Sequence, residues 1–287
     1  MKFEVVDTSL IKNEVAGVLE DTTLRVILDD MSGYVANGKM LRGKIPLYLY
    51  QALSKSMTEN QAAKSGAAIE MIHAASLLHD DVIDNSDLRR GVPSFWAAKG
   101  VQGAILFGDM LMCRAFKLIN DSMPEKIGEL IQLTSSVCEA EVEQELISKG
   151  KPVTYDESIF IAREKTGALF AFAAASCGGS DVKLTDALRE TGYRLGTAYQ
   201  LADDVLDEFG DAGDSDKPLG NDRKAGKATL ANNDKVTVNL SEEIEVLYNS
   251  YTELLKEWPD VMAAWMAYLD TEFKPIVDKF LKNYINR

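Results

Sequence analysis

An all-α bundle is the fold this sequence predicts, on three observations. Apolar residues recur at i, i+3 and i+4 through nearly every segment, no stretch alternates apolar and polar residues as a half-buried strand would, and most prolines fall between the periodic stretches. The longest such stretches, Glu59–Leu78, Met123–Ile147 and Leu184–Phe209, read as amphipathic or buried helices. Pro93, Pro124, Pro152, Pro218 and Pro259 punctuate them, because a proline inside a helix removes a hydrogen bond and clashes with the preceding turn. Thr166 to Ser180 carries no charged residue but is too short and too rich in Gly and Ala to span a bilayer, so a buried helix is expected there. Two polar connections, Asn85–Pro93 and Gly210–Asp222, contain Gly and Pro and follow acidic helix ends, which makes them lid candidates. One domain spanning residues 1–287 is expected, since an all-α chain of this length can hold a single core.

Hydrophobic residues at 46% and charged residues at 26% are an ordinary globular balance, which excludes long disorder and a disulfide scaffold. The formal charge of -14 repels nucleic acid, and no basic patch offsets it, so nucleic acid is not an expected partner. An anionic ligand would need clustered cations or bound metal ions. Cys113, Cys138 and Cys177 sit at wide spacing in apolar helical patterns and are read as buried free thiols in a reducing, cytoplasmic setting. Met1–Leu10 has no apolar run, so no signal peptide is expected, and no integral membrane segment is visible.

The segment that carries most chemistry is LLHDDVID, residues 77–84, in which Asp80 and Asp84 lie one helical turn apart and project from one face. Like charges at that spacing cost a helix roughly 0.2–0.5 kcal/mol, and more when apolar neighbours bury them, so a compensating cation is expected. Hard oxygen donors without a nearby cysteine favour Mg²⁺, which keeps water and shares its shell with phosphate. YQLADDVLDEFG, residues 199–210, repeats the arrangement with Gln200, Asp203 and Asp207 along one stripe. Either segment alone is equally well read as a solvated acidic helix end; the two together point to metal binding. DAGDSD at 211–216 lacks the glycine register of an EF-hand loop, which weighs against calcium.

Cations accompany both segments. Arg89 and Arg90 follow the first, Lys217 and Lys227 the second, each in a connection with Gly or Pro. Lys39 and Arg42 in NGKMLRG, residues 37–43, are spaced i, i+3, so on one helix face they can clamp a phosphate, although such a pair alone is usually solvated surface. His73 lies two turns before Asp80 on the same face; a lone histidine is more often a core residue, but beside this face a phosphate contact is favoured. His79 points elsewhere and is read as structural. Lys165 and Thr166 in REKTGALF begin a small-residue helix and would present an ammonium and a hydroxyl to one cavity wall.

Taken in order, GKMLRG, IHAASLLHDDVID, RRGVPSFW, GDMLM, KTGALF, YQLADDVLD and KPLGNDRKAGKATL closely resemble the trans-type polyprenyl diphosphate synthases, over about Gly38 to Leu230. The resemblance implies a homodimeric isoprenoid-synthase bundle with two aspartate-rich helices facing across a deep central cavity. Carried over by motif, Asp80, Asp81, Asp84, Asp203 and Asp207 would bind Mg²⁺, about three ions per site, bridging the diphosphate of an allylic substrate. Arg89, Lys165, Lys217 and Lys227 would grip that leaving group, Lys39, Arg42, His73 and Arg90 would hold isopentenyl diphosphate, and Thr166 and Gln200 would lie near the developing carbocation. Geranyl, farnesyl or geranylgeranyl diphosphate would serve as the allylic primer.

In this family, aromatic residues four and five positions before the first aspartate block the cavity early. Here those positions hold Ser76 and Ala75. An open cavity and a product beyond about twenty carbons are therefore expected, with Ile72, roughly 12 Å below Asp80 along a helix, or a facing helix such as Leu106–Phe116, as the floor. Geranylgeranyl or farnesyl diphosphate is the alternative product. The sequence departs from the family pattern at Gly43, where a proline usually follows the arginine, and in ANNDKVTVNL after Leu230, which lacks the expected proline and helix continuation.

Three rival readings stand beside this one. A class I terpene cyclase shares metal-triggered ionisation but normally carries an Asn/Ser/Glu-type second motif in place of Asp203-Asp204-x-x-Asp207. A regulatory subunit would be expected to have lost aspartates, and none is lost. An acidic helical interaction protein leaves the order of seven motifs unexplained.

Overall fold

The computed structural model describes residues 3–23, 34–35, 37–210, 219–233 and 238–285. It is an all-α assembly: α1 (Ser9–Glu20), α2 (Leu41–Leu53), α3 (Glu59–Ile83), α4 (Phe95–Ser122), α5 (Ile127–Val142), α6 (Tyr155–Ala162), α7 (Ala168–Ala175), α8 (Val182–Phe209), α9 (Asn221–Ala225), α10 (Leu240–Asn249), α11 (Tyr251–Leu254), α12 (Pro259–Tyr268) and α13 (Lys274–Ile285). Among the described residues the only ladder is a two-residue antiparallel pair, β1 (Leu88–Arg89) with β2 (Val92–Pro93). It occupies the Asn85–Pro93 connection, and its turn is Arg90-Gly91, both at positive φ (53° and 75°), as a tight hairpin requires. Among the described residues no helix is long and apolar enough to cross a membrane.

Two helices organise the rest. α3 opens on a capping box, Thr58 Oγ1 accepting the Gln61 N–H while the Gln61 side chain accepts the Thr58 N–H. Its first half is Ala, Ser and Gly buried on nearly every side, which suits a helix wrapped by α1, α2, α4 and α7. α8 is the second spine, packed on α7, α10 and α13. Between them lies α7, buried at every position, as the uncharged run predicted. It is shorter than that run because Arg163–Gly167 forms a separate π-turn before it.

Close helix approach depends on glycines facing backbone. A Cβ at Gly192 would sit 2.4 Å from the Phe170 carbonyl oxygen, and one at Gly196 would sit 2.5 Å from Gly167 Cα. On the other side of α3, a Cβ at Gly66 would meet the Gly43 carbonyl oxygen at 2.5 Å. Further π-turns occur at Glu143–Ile147, ending α5, and at Leu269–Phe273, joining α12 to α13. From the latter, Glu272 accepts Lys44 Nζ at 2.6 Å and the Tyr48 hydroxyl at 3.2 Å, tying the C-terminal helices to α2.

The cysteine reading needs correction. All three thiols are free, but only Cys177 is buried; Cys113 is exposed on α4, and Cys138 on α5 is exposed where it lines the central cavity. Since the backbone opposite Gly192 cannot recoil as a side chain would, Gly192→Ala is expected to cost about 1–3 kcal/mol, read as a drop of several degrees in the thermal midpoint. A variant melting with wild type would exclude this close contact.

Candidate active site

The C-terminal ends of α3 and α8 face one cavity of about 1510 Å³, larger than the roughly 300–1,000 Å³ of ordinary small-ligand sites. Asp80 and Asp84 from α3, and Asp203, Asp204 and Asp207 from α8, all line it. Facing them are cations from separate parts of the chain: Lys39, Arg42, Arg89, Arg90, Lys165 and Lys227. Lys217 lies outside the described residues.

Asp81 departs from its expected place among metal ligands. One residue on from Asp80, it is rotated by about 100° around the helix, is 1% exposed and lies off the cavity lining. There it accepts both Arg89 Nε at 2.8 Å and Arg89 Nη2 at 2.6 Å, a bidentate pair that neutralises it. Arg89 therefore fastens the hairpin to α3 while its edge borders the cavity. The Ser86 N–H to the Asp81 carbonyl and Trp96 Nε1 to the Ser86 carbonyl hold the same corner.

A cationic end is built from α2, the stretch before it and the hairpin. Lys39 does not share a helix face with Arg42 as expected: α2 starts at Leu41, and Met40 before it takes a left-handed conformation. Both side chains still reach the cavity, Lys39 over the Phe280 ring of α13 at 4.7 Å and Arg42 over Phe170 at 4.8 Å. His73 is half-buried among them, and desolvation, reinforced by Arg42, Arg89 and Arg90, holds its ring well below the usual histidine range. It is a neutral hydrogen-bonding group at pH 7. Behind them Glu70 is fully buried and accepts the Gly43 N–H at 2.8 Å. This accounts for the departure at Gly43. A proline could not donate that bond, and a Cβ would sit 2.8 Å from Glu70 Cγ.

In the middle of the cavity, Thr166 Oγ1 donates to Gln200 Oε1 at 2.5 Å and Gln200 Nε2 donates to Asp204 Oδ1 at 2.7 Å, so the amide is oriented from both ends. Lys165 forms an ion pair with Glu141 and donates to Gln144 Oε1 at 2.8 Å. Lys227 reaches Asp84 Oδ1 at 2.9 Å and Glu145 Oε1 at 2.6 Å. Asp222, at the start of α9, donates its N–H to Asp207 Oδ2 at 3.1 Å. Burial and then the neighbouring Asp207 push the Asp222 carboxyl up to about 6, and burial and Asp222 push Asp204 well above the usual carboxylate range.

Sequence reading missed Glu70, Glu141, Gln144, Glu145, Asp204, Asp222 and Phe280. Asp222 lies within the KPLGNDRKAGKATL motif without a role of its own having been read there, Phe280 lies beyond the motifs, and nothing in the acidic run CEAEVEQEL marks an inward face. Below the aspartates, Ser76 and Ile72 lie on the lining, and Met112 borders it from within Leu106–Phe116. Ala75 is fully buried and does not belong to the lining. His79 turns towards α4, 3.5 Å from Asp109 and 3.4 Å from the Ile105 carbonyl oxygen.

The donor set fits a hard divalent cation. Among the described residues no three carboxylates, imidazoles or thiolates converge closely enough to hold an ion unaided. The surplus of buried negative charge at Asp204 and Asp222 is nevertheless what a cation would relieve, with water and phosphate oxygens completing its shell.

A folded-state pKa above the unfolded one gives stability that is present at low pH and lost as pH rises through the folded value. Without divalent metal, wild type should lose stability between about pH 4 and pH 6 relative to Asp222→Asn, which should be the more stable by about 1–2 kcal/mol at pH 7.5 and no more stable at pH 4. Melting curves with a chelator check this; an equal difference at both pH values would refute it.

A polyprenyl synthetase family model matches residues 25–266. The chain is 34% identical over 223 residues to octaprenyl diphosphate synthase of Escherichia coli, covering 75% of this chain and 68% of that one. It is 36% identical over 209 residues to farnesyl diphosphate synthase of Geobacillus stearothermophilus, covering 68% and 70%. Its structure resembles a polyprenyl synthase from Caulobacter crescentus solved with calcium and isoprenyl diphosphate, at TM-score 0.67 and 26% identity, covering 100% of this chain and 99% of that one.

Proposed function

The chain belongs to the polyprenyl synthetase family, and from that premise we propose that it is a Mg²⁺-dependent synthase that extends an allylic diphosphate with isopentenyl diphosphate to a product longer than about twenty carbons. The observation that carries this reading is the arrangement of one cavity, acidic on two facing helix ends, cationic around them, and lined below Asp80 by the small side chain of Ser76.

The allylic C–O bond breaks with its electron pair leaving on the diphosphate. Mg²⁺ held by Asp80, Asp84, Asp203 and Asp207, with Asp222 beside them, would supply charge neutralisation for that departing group. Lys165 and Lys227 stand ready to exchange their carboxylate partners for its oxygens. Lys39, Arg42, Arg90 and neutral His73 would fix the second diphosphate, so that the isopentenyl double bond lies against the allylic carbon. The Thr166 hydroxyl and Gln200 amide line the cavity, where their oxygens would favour positive charge. A new C–C bond forms, and the proton lost from the resulting cation goes to the released diphosphate; no protein base is needed. The apolar lower cavity excludes water from the cation.

Relatives ranging from farnesyl to octaprenyl diphosphate synthases leave the length of the product to the lining. Homodimerisation is proposed on the resemblance, with Ile105 and Leu106 of α4 and Ile131 of α5 as exposed apolar surface, and a cytoplasmic location on the free thiols.

The test is incubation of labelled isopentenyl diphosphate and Mg²⁺ with primers of five, ten, fifteen and twenty carbons, followed by chain-length analysis. Elongation lost on chelation is expected; no elongation with any primer would end the proposal, and a cyclic hydrocarbon would favour a cyclase. Ser76→Phe should shorten the product with initiation retained, whereas Ala75→Phe, off the lining, should chiefly lower the melting temperature. Unchanged product from Ser76→Phe would remove Ser76 from the wall.

A further inference from the structure

We propose that Glu145 is a positioning residue that holds the Lys227 ammonium at the cavity mouth while Lys227 exchanges Asp84 for an oxygen of the leaving diphosphate. The assignment rests on the function proposed above.

Glu145 is 8% exposed and sits in the π-turn Glu143–Ile147, whose widened geometry turns it inward while Leu146 and Ile147 face out. Its two oxygens serve different lysines. Oε1 lies 2.6 Å from Lys227 Nζ, and Oε2 accepts Lys149 Nζ at 2.7 Å from the solvent side. Beside this pair the Gly150 N–H donates to the Gly226 carbonyl at 2.8 Å, and the Lys227 N–H donates to the Asp222 carbonyl at 2.8 Å. The stretch carrying Lys227 is thereby fixed to the segment just after the π-turn, and through the Asp222 N–H on Asp207 Oδ2 at 3.1 Å to the acidic face.

The need for Glu145 follows from charge. Lys227 is 8% exposed, and a buried ammonium without a counter-charge is strongly disfavoured. Asp84, its other partner, stands on the acidic face that a metal-bound diphosphate would engage. Once that engagement uses the Asp84 charge, Lys227 would withdraw to solvent unless a second carboxylate kept it in place. Glu145 is that carboxylate, and because Lys149 shares its charge, the hold on Lys227 stays loose enough for the ammonium to pivot. Glu145 itself is absent from the cavity lining, so its influence passes through Lys227.

A double-mutant cycle decides the matter: wild type, Glu145→Gln, Lys227→Ala and the double variant, with the two substrates varied separately. Glu145→Gln and Lys227→Ala should each raise KM for the allylic diphosphate about tenfold while KM for isopentenyl diphosphate stays within about twofold, and the double variant should be no worse than Lys227→Ala. Multiplying effects in the double variant, or an equal rise in both KM values, would overturn the assignment. Should Glu145→Gln melt too low to assay, Glu145→Asp replaces it in the same cycle, with the same non-additivity expected. Inactivity of wild type would instead overturn the functional reading beneath it.

Discussion

Carboxylates at the ends of α3 and α8 face the same cavity, and keeping that much negative charge together in a partly dry place is the constraint around which the neighbouring structure is arranged. Several of these anions and their neighbours are answered within a few ångströms: Asp81 by Arg89, Asp84 by Lys227, Glu141 by Lys165, Glu145 by Lys149 and Lys227. Asp204 and Asp222 are answered less completely, and their raised pKa values record it. A protein of net charge -14 thus reserves cations for one mouth, where an anionic ligand needs them.

Much of this was legible because it is written in helical spacing. The long periodic stretches became α3, α5 with its π-turn, and α8, and Asp80, Asp84, Asp203 and Asp207 met in one cavity, as two acidic stripes on facing helices should. Spacing failed where the backbone leaves the regular helix. Lys39 precedes the first turn of α2, so the i, i+3 argument did not apply to it, although Lys39 and Arg42 converge all the same. Adjacent aspartates look equivalent in a string, yet one of the pair at Asp80-Asp81 faces the cavity and the other a buried guanidinium. Ala75 and Ser76 differ in the same way by a single step around the helix.

Elements remote in the chain carried no such signal. Phe280 joins the site only because Glu272 and Tyr268 dock the last helices on α2, the Tyr268 hydroxyl donating to the Leu41 carbonyl at 3.0 Å. Gly43, an anomaly in the motif, has a local cause: its N–H feeds the Glu70 carboxylate, and its bare Cα lets α2 lie on Gly66.

The π-turns give the fold an unusual sensitivity to length. Each holds one residue more than an α-turn would, and residues beyond it are phased accordingly. Removing Gly167 from Arg163–Gly167 would leave charge and nearly all composition intact, yet would turn the side chains on one flank by about 100° relative to the other. Lys165 and Thr166 could then no longer address the cavity while α7 stays seated between α3 and α8.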